Sequence, residues 1–191
     1  TIGAMSEPAT DQSTDRARLL DVVRSRALIQ FDEPRELSSG ELSRDFIDAK
    51  AGLSRGRDLR LACRVIADSV AGAGIEWDAV GGLTLGADQF AHGVVAELAD
   101  DHEWFVVRKA PKGRGTNRLV EGAALERGVR VLLVDDIVTT GGSIQQAHRH
   151  VVDTGATVYF LCRSGVRSVA AAEAATAAGW AQSYNILDGF E

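Results

Sequence analysis

The sequence predicts an α/β domain: an open, mainly parallel twisted sheet with helices on both faces, plus a small N-terminal hood at about residues 30–50. Three observations carry that expectation. From Ala79 onward, apolar runs of strand length alternate with helical patterns of about ten residues, as in successive β-α-β units. The run Val131-Leu-Leu-Val134 is apolar at every position, as a strand covered on both faces must be. Turns rich in small residues follow the strands, at the carboxyl ends where an open parallel sheet takes its ligands.

Taken in order, Thr1 to about Ser13 holds Ser, Thr, Asp and Pro without periodicity. It reads as a disordered tail or an appended remnant, with Met5 a candidate natural start, set apart from one domain over 14–191. Leu19, Leu20, Val22, Val23 and Leu28 recur at helical spacing, with Asp15 near the first turn, which predicts a helix from about Thr14 to Leu28. From Phe31 to Lys50 the chain is turn-rich at its centre and alternating at its end, as in a short antiparallel hairpin. A second helix fits Arg57 to Ala71. Ala79-Val80 lead as a strand into Gly81-Gly82, followed by a helix over Ala87 to Leu98, a strand over Trp104 to Val107 and a long polar loop. A strand from Val129 to Val134, a helix from Ser143 to Asp153 and a strand from Thr157 to Leu161 come next. An alanine-rich amphipathic helix from Val169 to Ala178 and a strand from Ser183 to Leu187 complete the pattern.

A chain of 191 residues with 45% hydrophobic and 25% charged side chains suits one globular domain with a substantial core. A net charge of -6 and a pI near 5.3 argue against nucleic acid or an anionic membrane as a partner of the overall field, so any basic site must be local. No apolar stretch approaches the roughly 20 residues of a membrane helix, and the chain reads as cytoplasmic. Cys63, in a helical pattern, and Cys162, in a strand pattern, have neither metal nor redox spacing and read as reduced core residues.

The most informative stretch is Val131-Leu-Leu-Val-Asp-Asp-Ile-Val-Thr-Thr-Gly-Gly-Ser143. A buried strand stops abruptly at two adjacent carboxylates, Asp135 and Asp136, which are costly there unless something positive or hydroxylated meets them. Ile137 and Val138 lead to Thr139, Thr140, Gly141, Gly142 and Ser143, whose backbone N–H groups and hydroxyls can wrap an anion where a helix begins. Neither Gly-x-x-x-x-Gly-Lys nor Gly-x-Gly-x-x-Gly occurs in this turn. The arrangement suits a sugar phosphate: the small residues hold the 5-phosphate of a ribose, and Asp135 and Asp136 accept hydrogen bonds from its 2- and 3-hydroxyls. These thirteen residues resemble the binding motif of the type I phosphoribosyltransferase family, which implies 5-phosphoribosyl 1-pyrophosphate (PRPP) as the donor substrate.

Arg108, Lys109, Lys112, Arg114 and Arg118 form a cationic run with no acid until Glu121, and Pro111, Gly113 and Gly115 deny it regular structure. The natural reading is a mobile flap. Phosphoribosyl transfer expels pyrophosphate from the anomeric carbon through an oxocarbenium-like state, and cations aimed at the leaving group lower that barrier while closure excludes water. Magnesium bridging pyrophosphate and ribose oxygens would add positive charge while keeping several waters, so no dedicated protein cage for Mg2+ is expected.

Phe105-Val-Val-Arg-Lys-Ala-Pro-Lys-Gly-Arg-Gly-Thr116, with Leu119-Val-Glu-Gly122, is similar to the catalytic loop of orotate phosphoribosyltransferases. Leu37-Ser-Ser-Gly40 with Asp45-Phe-Ile-Asp48 resembles that family's hood, and Gly81-Gly-Leu-Thr-Leu-Gly-Ala87 its pyrophosphate-side loop. The resemblance implies an enzyme of UMP synthesis that takes PRPP and orotate. It implies that Arg108, Lys109 and Lys112 contact pyrophosphate, with Lys112 reaching into a neighbouring subunit of a homodimer. It further implies that Asp135 to Ser143 hold the ribose 5-phosphate and that Phe46, Thr139 and Arg163 face the pyrimidine. The chain departs from the family at Arg114, where histidine is common, at Ser38 and Leu85, where lysine is common, at Ile47, and at Cys162 before Arg163. Arg114 keeps a charge but cannot readily exchange a proton near neutral pH. Two other readings keep the donor: a different acceptor base, or a regulator that senses PRPP without catalysis. Lys112 and the complete turn speak against the regulator.

Among the remaining candidates, His148 and His150 are two apart on a predicted helix, cannot form an i, i+4 metal pair, and read as surface residues. His92 reads as a packed or capping residue, and His102 lies in an acidic turn. Trp77, Trp104 and Trp180 read as wall and core residues.

Overall fold

A computed structural model of the chain describes residues 12–37, 40–111, 118–137, 141–160 and 183–185. Six strands form one sheet: β3 (Ala79–Leu83), β4 (Glu103–Val107), β5 (Val120–Gly122), β6 (Arg130–Leu133), β7 (Thr157–Phe160) and β8 (Ser183–Asn185), in the order β5-β4-β3-β6-β7-β8. All pair in parallel except β5, which runs antiparallel to β4. Chain order advances from β3 to β4 on one side and resumes with β6 on the other. The crevice between the carboxyl ends of β3 and β6 is therefore the topological switch point, where open sheets of this kind bind ligands.

The apolar run of β6 explains the layering. Leu132 and Val134 face a layer made by α3 (Gly56–Gly72) and α4 (Asp88–Leu98), where they meet Cys63, Ile66, Val70, Phe90 and Val94. Val131 and Leu133 face α5 (Gly142–Val152), where they meet Ile144, Ala147 and Val151 together with Phe105 and Phe160. Helices cover both faces, as the alternating pattern predicts, and the buried stripes recur at the three-to-four spacing of an amphipathic helix. The Cys63 thiol is buried, with its pKa pushed up to about 12 by burial and then by the nearby charge of Glu97, which suits an inert core residue. Cys162 lies outside the described residues, as do the predicted helix Val169 to Ala178, Trp180 and the tail through Asp11.

Some expectations are corrected. The first helix, α1 (Gln12–Val22), does not continue to Leu28: it widens into a π-helical turn, Val23–Ala27, that leads into strand β1 (Leu28–Glu36). Ala27 is fully buried and its carbonyl accepts the amide of Asp48 at 2.8 Å, so tertiary packing draws the chain out of the helix one turn early. β1 pairs antiparallel with β2 (Leu42–Ile47), Leu28 opposite Ile47, which realises the expected hairpin as a separate two-stranded ribbon. The three-residue strand β5 sits in the stretch read as loop, too short to show a period of two.

His148 is not a surface residue. It is 1% exposed and stacks on Phe160 with ring centroids 5.1 Å apart, because Ile144, Ala147, His148 and Val151 are the buried face of α5. His92 is exposed and neither packs in the core nor caps a helix; its ring meets the edge of Trp104, which is itself 39% exposed rather than a core residue. Trp77 is buried, and the His102 ring lies tilted against it with centroids 4.0 Å apart while bonding Asp100 at 2.6 Å. Among the described residues, no helix is long and apolar enough to cross a membrane.

Burial holds the His148 pKa down at about 4, below the ordinary 6.5. The unfolded chain then binds the proton more readily than the folded one. Stability should fall as pH drops from about 6.5 towards 4, by up to about 3 kcal/mol from this residue alone. His148→Leu should flatten that slope in urea unfolding measured across the same pH range; an unchanged slope would contradict the assignment.

Candidate active site

The chain leaves β6 at Val134, whose amide is still bonded to the carbonyl of Gly81 at 2.9 Å, and turns immediately. Each carboxylate then fixes the next peptide: Asp135 Oδ1 accepts the amide of Asp136 at 3.0 Å, and Asp136 Oδ1 accepts that of Ile137 at 2.9 Å. The second oxygen of Asp136 accepts a hydrogen bond from Lys50 Nζ, 86 residues earlier in the chain. On the other flank runs the loop after β3. A Cβ at Gly86 would run into Asp135 Oδ1 and lie 2.9 Å from Asp136 Oδ1, so only glycine lets this backbone approach the two acids. That loop is itself tied down: Thr84 N donates to Val107 at 2.9 Å, and Thr84 Oγ1 donates to Asp88 Oδ2 at 2.7 Å, at the head of α4. The Thr84–Leu85 peptide is cis.

Crowding has an electrostatic consequence. Burial, followed by the adjacent charge of Asp136, raises the Asp135 carboxyl from its ordinary 3.8 to about 7, while Lys50 pulls it down. Asp135 is therefore poised to gain or lose a proton near neutral pH according to what enters beside it.

Further along the turn, Gly141 adopts φ 77°, a left-handed conformation that favours glycine, and immediately precedes α5. Gly142 and Ser143 open that helix, and its first turn contains no acidic side chain to oppose an anion at the free N–H groups. The basic segment starts close by. The carbonyl of Lys109 accepts Gln146 Nε2 of α5 at 3.2 Å, which moors the root of the cationic run one turn inside the helix. Lys109 is exposed, and Arg108 donates to Glu121 of β5 at 3.3 Å. Phe46 stands on the ribbon, 43% exposed, with its ring 6.5 Å from that of Phe31.

The structure places Asp135, Asp136 and Ile137 after the end of β6 and Gly141, Gly142 and Ser143 at the start of α5, with Arg108 and Lys109 following β4 on the other side of β3. Lys112, Arg114, Val138, Thr139, Thr140 and Arg163 lie outside the described residues, as does Ser38. Lys50 is the participant that sequence reasoning missed, and Gly86, read there as part of the pyrophosphate-side loop, was not tied to the two acids. No local pattern marks a lysine that meets its partner only through the fold, whereas Gly86, directly after a predicted strand and loop, carried a readable hint of close approach. Among the described residues, no group of three or more His, Cys, Asp or Glu side chains is placed to hold a metal ion.

Comparison with known proteins gives this geometry a family. A family model described as a phosphoribosyl transferase domain matches residues 56–182. The orotate phosphoribosyltransferase of Mycobacterium avium is 34% identical over 177 residues, covering 92% of this chain and 92% of the relative. The chain belongs to the orotate phosphoribosyltransferase family. Solved structures agree: the Mycobacterium tuberculosis orotate phosphoribosyltransferase in complex with Fe(III) dicitrate superposes with a TM-score of 0.68 at 33% identity, covering 91% of this chain and 95% of that one. The same enzyme in complex with PRPP gives a TM-score of 0.65 at 31% identity, with 92% and 96% covered.

In this family member the coupled acids can be watched directly. Carboxyl-carbon NMR should find Asp135 titrating near pH 7, and Asp136→Asn should move it down by roughly a unit, because burial remains while the neighbouring charge is removed. Titration of Asp135 at an ordinary carboxylate pH in the unmodified protein would contradict this picture of the turn.

Proposed function

We propose that this chain transfers the phosphoribosyl group of PRPP to orotate in the cytoplasm, giving orotidine 5-phosphate and pyrophosphate for UMP synthesis. The observation that carries the reading is the pair Asp135 and Asp136 set between a close glycine backbone and the open start of α5, at the switch point of the sheet. A ribose 5-phosphate spans those two features: its phosphate sits on the N–H groups around Thr139 to Ser143, and its 2- and 3-hydroxyls donate to the two carboxylates.

As the bond from the anomeric carbon to pyrophosphate lengthens, Arg108, Lys109 and Lys112 gather on the departing oxygens, and a ring nitrogen of orotate, its proton passing to the leaving pyrophosphate or to water, forms the new bond at that carbon. Phe46 and Thr139 flank the pyrimidine, and Arg163 meets its carboxylate as a planar fork. Arg108 can swing from Glu121, a partly exposed partner that holds it weakly. Arg114 supplies fixed charge on the flap where relatives use a histidine, so proton exchange there falls to solvent or substrate. Lys112 completes the site of a neighbouring subunit, which makes the working form a homodimer, and the β1–β2 ribbon acts as the hood.

Magnesium suits this site: Asp135 and Asp136, two half-buried carboxylates, would stand as neighbouring negative charge beside an ion that enters with the donor. It would supply positive charge to the developing pyrophosphate.

Protein given PRPP, orotate and Mg2+ should consume orotate, followed by its ultraviolet absorbance; no loss at high enzyme concentration would overturn the acceptor. The substitutions at Arg114, Ser38 and Ile47 favour testing a second acceptor, and a panel of bases assayed for pyrophosphate release separates the two readings. Asp135→Asn and Asp136→Asn should each weaken PRPP binding by about 10- to 100-fold in calorimetry, the loss expected for a charged hydrogen bond. Lys112→Ala should lower kcat by about 100-fold or more in steady-state kinetics with the fold intact.

A further inference from the structure

Lys50 belongs to none of the motifs that define the sugar and pyrophosphate sites, yet it is the cation that meets Asp136 among the described residues. Its side chain is 51% exposed and that of Asp136 is 15% exposed, so the lysine reaches inward from the surface to the rim of the turn. The segment that carries it is built to stay in place. Lys50 sits in α2 (Ala49–Gly52), a single turn whose amide at Ala51 is capped by Asp48 Oδ1 at 3.0 Å. Gly52 is buried against Ala27, and its carbonyl accepts Arg26 Nε at 2.9 Å. Arg26 is in turn paired with the buried carboxylate of Asp58 at 3.4 Å. Backbone and side chains on both sides of Lys50 therefore lock α2 to the π-helical turn and to the start of α3.

We propose that Lys50 is a positioning residue for the donor: held by the anchored turn α2, it orients the carboxylate of Asp136 towards the ribose hydroxyls without touching the reacting atoms. The proposal rests on the donor reading given above. Asp136 has one oxygen committed to the amide of Ile137 and the other to Lys50, which leaves its remaining lone pairs directed by those two fixed donors. Without Lys50, the carboxylate would keep only the amide bond, turn more freely about its own axis, and stand beside Asp135 with less compensating charge. Other charged groups nearby are placed for different tasks: Asp88 is engaged by Thr84, Arg108 by Glu121, and the first turn of α5 contains no acid. A pre-oriented acceptor raises affinity for the ground state and the transition state alike, so its removal should appear in donor binding and not in turnover at saturation.

The test is calorimetric titration of the full chain with PRPP and Mg2+, alongside steady-state kinetics. Lys50→Met should weaken PRPP binding by about ten-fold, a loss in the range of one charged hydrogen bond. Its kcat at saturating substrates and its KM for orotate should stay within roughly two-fold of the unmodified protein. Lys50→Arg, which keeps the charge and a donor at similar reach, should restore PRPP affinity to within about three-fold, whereas a merely structural defect would not be rescued in this way. Unchanged or tighter PRPP binding by Lys50→Met overturns the proposal, as does a fall in kcat with binding intact. So does failure of Lys50→Arg to recover affinity while its thermal unfolding matches the unmodified protein. Because binding of PRPP is read without any acceptor, a protein that binds PRPP but ignores orotate leaves this test standing and sinks only the acceptor. An unmodified protein that takes up no PRPP sinks the donor reading and this proposal together.

Discussion

Two carboxylates, Asp135 and Asp136, are delivered side by side to the rim of the core by a strand that has no freedom to separate them. β6 is buried on both faces, paired on both edges, and ends within one residue of the pair. Burial and, after it, the adjacent like charge of Asp136 disfavour ionisation, so the Asp135 carboxyl is raised to about 7. Around the pair, the chain supplies backbone amides from its own turn, a lysine from a distant helix, and a glycine that brings another backbone alongside. The two acids are thereby held in place by the chain itself, a preorganisation that favours the binding proposed for them.

The same constraint organises what lies further out. Because β3 and β6 are neighbours whose connections leave in opposite directions, the loop carrying Gly86 and the turn carrying Gly141 open into one crevice. The root of the basic segment is brought to that crevice by β4 and moored to α5 through Gln146. The ends of three adjacent strands, β4, β3 and β6, therefore border the crevice to which the donor is proposed to bind. The ribbon that bears Phe46 connects to the sugar turn through Lys50, so the segment proposed to face the pyrimidine and the segment proposed to hold the ribose are joined by one ion pair.

Much of this was legible in the sequence, where local pattern and global fold agree. Val131 to Val134, apolar at every position, reads as a doubly covered strand, and β6 is one; the acids that end it stand where the pattern puts them, at the carboxyl end of the sheet. What was illegible depended on contacts remote in the chain. Lys50 finds Asp136 only once the ribbon has folded back, and Leu28 becomes strand because Ala27 is pinned against Gly52. His148 is a different case. Its position four residues after Ile144 and three before Val151 puts it on the buried face of α5, whereas its spacing from His150 bears only on metal binding. β5 was lost for want of length.

The central claim is that one phosphorylated sugar is gripped at opposite ends by the acid pair and by the start of α5. A crystal structure of the protein with PRPP and magnesium addresses it most directly. The account predicts the 5-phosphate on the N–H groups near Gly141 to Ser143 and the ribose hydroxyls on Asp135 and Asp136. A sugar phosphate bound elsewhere, with the two acids left facing Lys50 and solvent, would contradict it.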